Sequence, residues 1–182
     1  MSKKVIVITG SPRKDGNSNI LARAFADAAS GRGFDVKTVD AVELGALGCR
    51  ACLGCYKTGK PCAFDNPFND IADDILEADV IAFAMPVYWY TIPAQIKAVI
   101  DNIYCLYRIK SEELAGKKSV LLCCCAENDM EIFDGVMFAY ERTAALNGWT
   151  RAGEVLVPGV IMPGDVEKSE GIKKAEELAA SL

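Results

Sequence analysis

Strict alternation between β-branched apolar runs and helically spaced stretches constrains this chain more than any other feature. Lys4-Val5-Ile6-Val7-Ile8-Thr9 stops at Gly10, the pattern of a strand buried on both faces. From Asn17 to Ser30 the residues Ile20, Leu21, Ala24, Phe25 and Ala28 share one face, and Gly31 and Gly33 close the helix. The rhythm continues with a strand over Phe34–Val39, a helix over 67–77 and a strand over Val80–Met85. A helix then starts at Pro93, carrying Ile96, Ala98, Val99 and Ile103. A strand over Lys118–Cys125, a helix over Phe133–Leu146, a strand over Ala152–Val157 and a terminal helix over Val166–Leu182 complete the series. Five βα units with right-handed crossovers predict an α/β fold: a doubly wound parallel sheet with helices on both faces. At 182 residues this is one domain, 1–182, with a cysteine-rich loop inserted at 45–66. Ligands of such sheets bind beyond the carboxyl ends of the strands, which directs attention to the loops after Thr9, Asp40, Met85, Cys125 and Val157.

Composition narrows the chemistry. There is no histidine, which excludes Ser-His-Asp and Cys-His nucleophiles and His-ligated zinc. A chain without imidazole that still does chemistry is expected to delegate it to a cofactor. The formal charge of −5 offers no cationic stripe, so no nucleic-acid partner is expected. Met1 to Lys4 lead directly into a strand, with no signal-peptide pattern and no apolar run of membrane-spanning length. The expectation is a cytoplasmic protein with no membrane partner. In a reducing compartment the eight cysteines are thiols, ligands or redox groups rather than structural disulfides.

Three segments stand where a ligand would bind. The loop Thr9-Gly10-Ser11-Pro12-Arg13-Lys14-Asp15-Gly16-Asn17-Ser18-Asn19 offers hydroxyls, amides, a guanidinium and a helix start, all donors to a phosphate. It carries neither the Gly-Lys-Ser/Thr of a nucleotide loop nor a G-x-G-x-x-G. After the third strand, Met85-Pro86-Val87-Tyr88-Trp89-Tyr90-Thr91-Ile92-Pro93 sets three aromatics beside prolines, a flat and partly apolar platform. Between them lies Cys49-x2-Cys52-x2-Cys55-x6-Cys62 in a Gly-rich stretch. Three thiolates at intervals of three suit a compact iron–sulfur cluster better than the paired knuckles of zinc. Cluster, free thiols and zinc stay open as readings, in that order. Cys105 and Cys123 to Cys125 read as small core residues, Cys125 being the one that ends a strand on the ligand side.

Gly10 to Ser18 resembles the FMN-phosphate loop of the NADPH-dependent FMN reductase and iron–sulfur flavoprotein superfamily. Pro86-Val87-Tyr88, continued by Pro93-Ala94-Gln95-Ile96-Lys97 and Ile100-Asp101, resembles the same family's flavin segment. The resemblance implies a flavodoxin-like sheet in the order 2-1-3-4-5 holding FMN. Ser11, Arg13, Asn17, Ser18 and Asn19 would meet the phosphate. Pro86, Val87, Tyr88, Trp89 and the backbone of Ala126 and Glu127 would meet the ring. The fourth-strand loop departs from the family, with Cys123-Cys124-Cys125 where glycines are usual, which puts its flavin contact and a nicotinamide site in question. Cys49, Cys52, Cys55 and Cys62 match the ligands of a 4Fe–4S cluster. The implied function is an FMN-dependent redox protein of the iron–sulfur flavoprotein type, exchanging electrons with a small-molecule or ferredoxin-type partner. A cluster-free NAD(P)H-dependent FMN or quinone reductase and a non-enzymatic flavin or thiol sensor are the alternatives. The resemblance also implies a homodimer or homotetramer.

Overall fold

The computed structural model describes residues 2–182. Because β1 (Lys4–Thr9) is apolar throughout its interior, it is stable only where both faces are covered, and it lies inside the sheet. The chain continues through α1 (Asn17–Gly31), β2 (Asp35–Asp40) and the short helices α2 (Ala41–Leu44) and α3 (Gly54–Thr58). A 3₁₀ turn, Pro67–Asp70, leads into α4 (Ala72–Glu77), then β3 (Val80–Pro86), α5 (Ala94–Ile109) and α6 (Ser111–Leu114). β4 (Lys118–Cys124), α7 (Asp134–Leu146), β5 (Thr150–Val157) and α8 (Gly171–Ala180) follow. All strand pairings are parallel and the order is β2-β1-β3-β4-β5, the flavodoxin-like order expected.

Period-two alternation sorts the strand residues onto two unlike faces. Val5, Val7, Ala82, Ala84, Val120 and Leu122 face α1 and α8, where small alanines let the helices lie close. Ile6, Ile8, Ile81, Phe83, Met85 and Leu121 face the other way, and bulkier side chains fill the space under α5 and α7. The cysteine-rich loop belongs to this second face, since Cys55 and Cys105 join its core.

Local differences from the expectations have physical causes. The segment 41–66 is not without structure: Asp40 caps α2, its carboxylate accepting from Val42 N at 2.8 Å, and a single turn of helix forms at α3. The helix expected over 67–77 is split, because Asn66 and Pro67 start a 3₁₀ turn before α4. β5 starts earlier, at Thr150, and accommodates a bulge where the register jumps from Ser119–Arg151 to Val120–Gly153. Among the described residues, no helix is long and apolar enough to cross a membrane.

Candidate functional site

The loop after β1 is rolled into a cradle by its own polar groups. Arg13 N donates to Ser11 Oγ at 3.2 Å and Gly16 N donates to the Arg13 carbonyl at 2.8 Å. From below, Asn19 Nδ2 donates to the carbonyls of Arg13 (3.1 Å) and Ser11 (3.4 Å). Gly10 must be glycine here, because a Cβ would sit 2.3 Å from Ile96 Cγ1 of α5. α1 then opens with the amides of Asn17 and Ser18, which have no intrahelical acceptor. Ser18 Oγ is buried and without a hydrogen-bond partner, an arrangement that natural structures rarely leave unexplained. Arg13 is exposed and makes no ion pair among the described residues.

Two more strand ends complete the cavity. Val87 N donates to the Cys124 carbonyl at 2.9 Å, carrying the β3–β4 ladder one residue beyond the strands. Cys125 N donates to Val157 O, and Val160 N returns a bond to Cys125 O, which brings the loop after β5 alongside. Ser11, Arg13, Gly16, Asn17, Ser18, Pro86, Val87, Tyr88, Cys124, Cys125, Ala126, Val160, Ile161 and Pro163 thus surround one cavity of ≈ 170 Å³. A second recess shares Val87 and is lined by Trp89, Tyr90, Glu127 and Ile132.

The aromatic platform is a tight turn held in an unusual shape. Tyr88 and Thr91 exchange both backbone hydrogen bonds at 3.1 Å, while Trp89 and Tyr90 take φ of +47° and +63°. Two consecutive left-handed residues are the signature of a type I′ turn, a position suited to Asn-Gly rather than to bulky aromatics. Trp89 is 92 % exposed and Tyr90 59 %, so packing of their own rings does not compensate the strain. The turn is instead wedged against α7, where a Cβ on Gly135 would lie 2.0 Å from the Tyr90 carbonyl oxygen. Strain of this kind concentrates at ligand sites.

Of the residues singled out from sequence, Ser11, Arg13, Asn17, Ser18, Pro86, Val87, Tyr88 and Ala126 are gathered around the first cavity, and Trp89 and Glu127 around the adjoining recess. Asn19 is placed elsewhere, beneath the loop, with its amide committed to two carbonyls. The side chain of Asn17 is committed too. Its Nδ2 donates to Met162 O at 3.0 Å and its Oδ1 accepts from Val166 N at 3.2 Å, stapling the loop after β5 to α1. That loop is also held by Asp165, whose carboxylate accepts from Met162 N (2.7 Å) and Ile161 N (3.2 Å). These amides, with Lys168, keep the Asp165 carboxyl below its ordinary range. Cys124, read from sequence as a core residue, lines the cavity from the end of β4, and Val160, Ile161 and Pro163 join it without any sequence signal. Hydrophobic residues after a strand carry no motif, and only the β5 crossover delivers them to the site.

The cysteine loop forms a second centre. Cys49, Cys52, Cys55 and Cys62 all line one cavity of ≈ 240 Å³, and Cys105 of α5 lines it with them. Leu53 and Ala51 adopt left-handed φ between the cysteines, and Gly54 passes close to Ala63 from the returning limb. Tyr56 OH and Tyr104 OH lie 3.2 Å apart, with the Arg108 guanidinium over the Tyr56 ring at 4.9 Å. Burial, reinforced by neighbouring Cys55, pushes the Cys105 thiol up to about 12, so it stays protonated and donates to Asn102 O. Cys105 is thus the buried core residue its helix suggests, with one side turned to the cavity of the other cysteines. Among the described residues no group of three or more acidic, cysteine or histidine side chains is drawn together as a bound metal requires. The four thiols of the motif share one cavity, and an all-sulfur donor set is the kind that soft metals and iron–sulfur groups take.

A family model described as NADPH-dependent FMN reductase matches residues 3–131. An iron-sulfur flavoprotein of Methanosarcina thermophila is 35% identical over 105 residues, 58% of this chain and 54% of that one. An iron-sulfur flavoprotein of Archaeoglobus fulgidus is 26% identical over 184 residues, 98% of this chain and 78% of the relative. The chain thus spans about half the length of the first of these relatives and most of the second. An azoreductase from Bacillus anthracis superposes with a TM-score of 0.73 at 21% identity, covering 99% of this chain and 100% of that one, a likeness that establishes the fold.

Proposed function

From the chain's membership of the NADPH-dependent FMN reductase family, we propose that it is an FMN-dependent oxidoreductase of the iron–sulfur flavoprotein type. The observation that carries this reading is the convergence of unpaired phosphate donors and a strained aromatic turn on one crevice at the carboxyl ends of β1, β3 and β4. The residues fit FMN. Ser18 Oγ, the free amides of Asn17 and Ser18 and the unpaired Arg13 guanidinium suit a phosphate at the positive end of a helix. Bound FMN supplies the redox chemistry, accepting and releasing electrons singly or in pairs. Ser11, Arg13 and Ser18 anchor the phosphate. Val87, Tyr88, Trp89 and Tyr90 would hold the ring and shield it from water, with Ala126 and Glu127 beside them. No side chain is assigned as acid or base.

The cysteine loop is read as the seat of a 4Fe–4S cluster on Cys49, Cys52, Cys55 and Cys62. Support comes from their shared cavity and from relatives named iron-sulfur flavoproteins. A small reductant such as NAD(P)H or a ferredoxin-type protein is the partner of this reading. It includes a homodimer or homotetramer, supported by the exposed bulk of Trp89, Tyr90 and Phe138.

The test is anaerobic purification with FMN, iron and sulfide quantified on one sample. One FMN with about four irons and four sulfides per chain supports the electron carrier. FMN without iron, even after reconstitution, combined with rapid bleaching by NAD(P)H, favours the cluster-free reductase. A protein that takes up no FMN refutes the reading.

A further inference from the structure

The cysteine loop is organised by three asparagines that lie outside the cysteine motif. Asn66 is 4 % exposed, and its side chain spends all its hydrogen-bonding capacity. Its Oδ1 accepts from Leu47 N and Phe68 N, both at 3.1 Å. The two hydrogens of its Nδ2 serve three acceptors, Leu47 O (3.0 Å), Asn102 Oδ1 (3.2 Å) and, as a longer shared contact, Cys62 Sγ (3.8 Å). Asn102, on α5, donates to Leu47 O (2.6 Å) and to Ala98 O (2.8 Å). Asn69 clasps the other limb, accepting from Cys62 N at 2.8 Å and donating to the carbonyls of Cys62 and Phe64 at 3.2 Å. Leu47, two residues before the first cysteine, and Cys62, the last cysteine, are therefore both tied to the buried amide of Asn66. Cys49 and Cys52 stay exposed, whereas Cys62 is held by these asparagines and Cys55 is buried by core packing.

We propose that Asn66 is a positioning residue for the cysteine centre: with Asn69 and Asn102 it sets the loop before any metal binds and places an N–H donor on Cys62 Sγ. The proposal rests on the reading of the loop as a ligand site. A buried, fully satisfied amide network of this kind is costly to break, since each group left alone keeps its desolvation penalty. Donors beside a ligating sulfur are also a recognised means of holding and tuning a metal centre.

The experiment compares wild type, Asn66→Ala and Asn66→Asp. In the metal-free protein the rate of iodoacetamide alkylation is read cysteine by cysteine, with tryptic cleavage after Arg50 and Lys57 and with FMN content as the fold control. Asn66→Ala is expected to raise Cys62 alkylation about tenfold, the factor matching about 1.4 kcal/mol, and to speed loop cleavage. Cys123 and Cys124 should stay protected and FMN retained, which general loosening would not give. Asn66→Asp keeps the two accepting bonds and should restore part of the protection. Cys62 rates within twofold of wild type, with FMN retained, overturn the proposal. If Asn66→Ala loses FMN, Asn66→Asp decides on the same criterion. On protein reconstituted with iron and sulfide, Asn66→Ala should lose iron about tenfold faster in air; equal retention overturns the proposal. A wild type that never loads iron refutes the cluster reading alone, because the clasp is tested on the metal-free chain.

Discussion

Replacing Trp89 by Asn and Tyr90 by Gly should make the flavin-free protein more stable and a poorer FMN binder. Both residues hold φ near +50 to +60°, where a side chain crowds its own carbonyl at about 1–2 kcal/mol per residue. Asn tolerates that region and Gly occupies it freely, the pair that a type I′ turn prefers. Against the relief stand about 0.5–1 kcal/mol of added chain entropy from the glycine and the partial burial of Tyr90, worth about 1 kcal/mol. Trp89, 92 % exposed, has almost nothing to lose. The net gain is about 1 kcal/mol, or about 2–4 °C in Tm for a chain of this size. The same substitution strips two aromatic surfaces from the recess, each worth about 0.5–1.5 kcal/mol against a ring, so FMN affinity should fall about tenfold or more. Thermal unfolding of the apoprotein and a fluorescence titration with FMN measure the two halves. A lower apoprotein Tm would refute the strain argument, and unchanged FMN affinity would refute the placement of the ring beside this turn.

Arg13→Ala combined with Ser18→Ala should weaken FMN binding at least tenfold, since charge-assisted bonds contribute about 1.5–3 kcal/mol; unchanged flavin content with an intact circular dichroism spectrum would remove the phosphate from this loop. Gly135→Ala forces a methyl onto the Tyr90 carbonyl and should destabilise the protein by about 1–3 kcal/mol, read as a lower urea midpoint. Asp165 has its pKa lowered by the Met162 amide first and by Lys168 second. Its contribution is complete above the ordinary value of 3.8 and is lost as pH falls through the lowered value. Asp165→Asn should therefore flatten the acid limb of the stability curve below pH 3.8, and an unchanged limb would show that the loop is held by Asn17 alone.

Much of the architecture was legible because strand and helix periods are local. β1, β3 and β4 are apolar enough to require burial on both faces, and alternation with helices allows few sheet orders. The donor-rich loop after β1 was legible for the same reason: its polar groups sit in one stretch of chain between a strand and its helix. Residues that depend on distant partners were not. Asn17 and Asn19 look alike as phosphate donors, but one staples the loop at Met162 and the other supports the Arg13 carbonyl. Cys105 reads as a buried helix residue, and only the packing of the inserted loop on α5 turns it toward the other cysteines. Asn66 and Asn102 are 36 residues apart and belong to no motif, yet they hold the loop together. Sequence by itself determined where the backbone is apolar and where its donors lie, because those are properties of neighbouring residues. Tertiary structure alone decided which polar groups meet, because burial obliges each to find a partner wherever the fold supplies one.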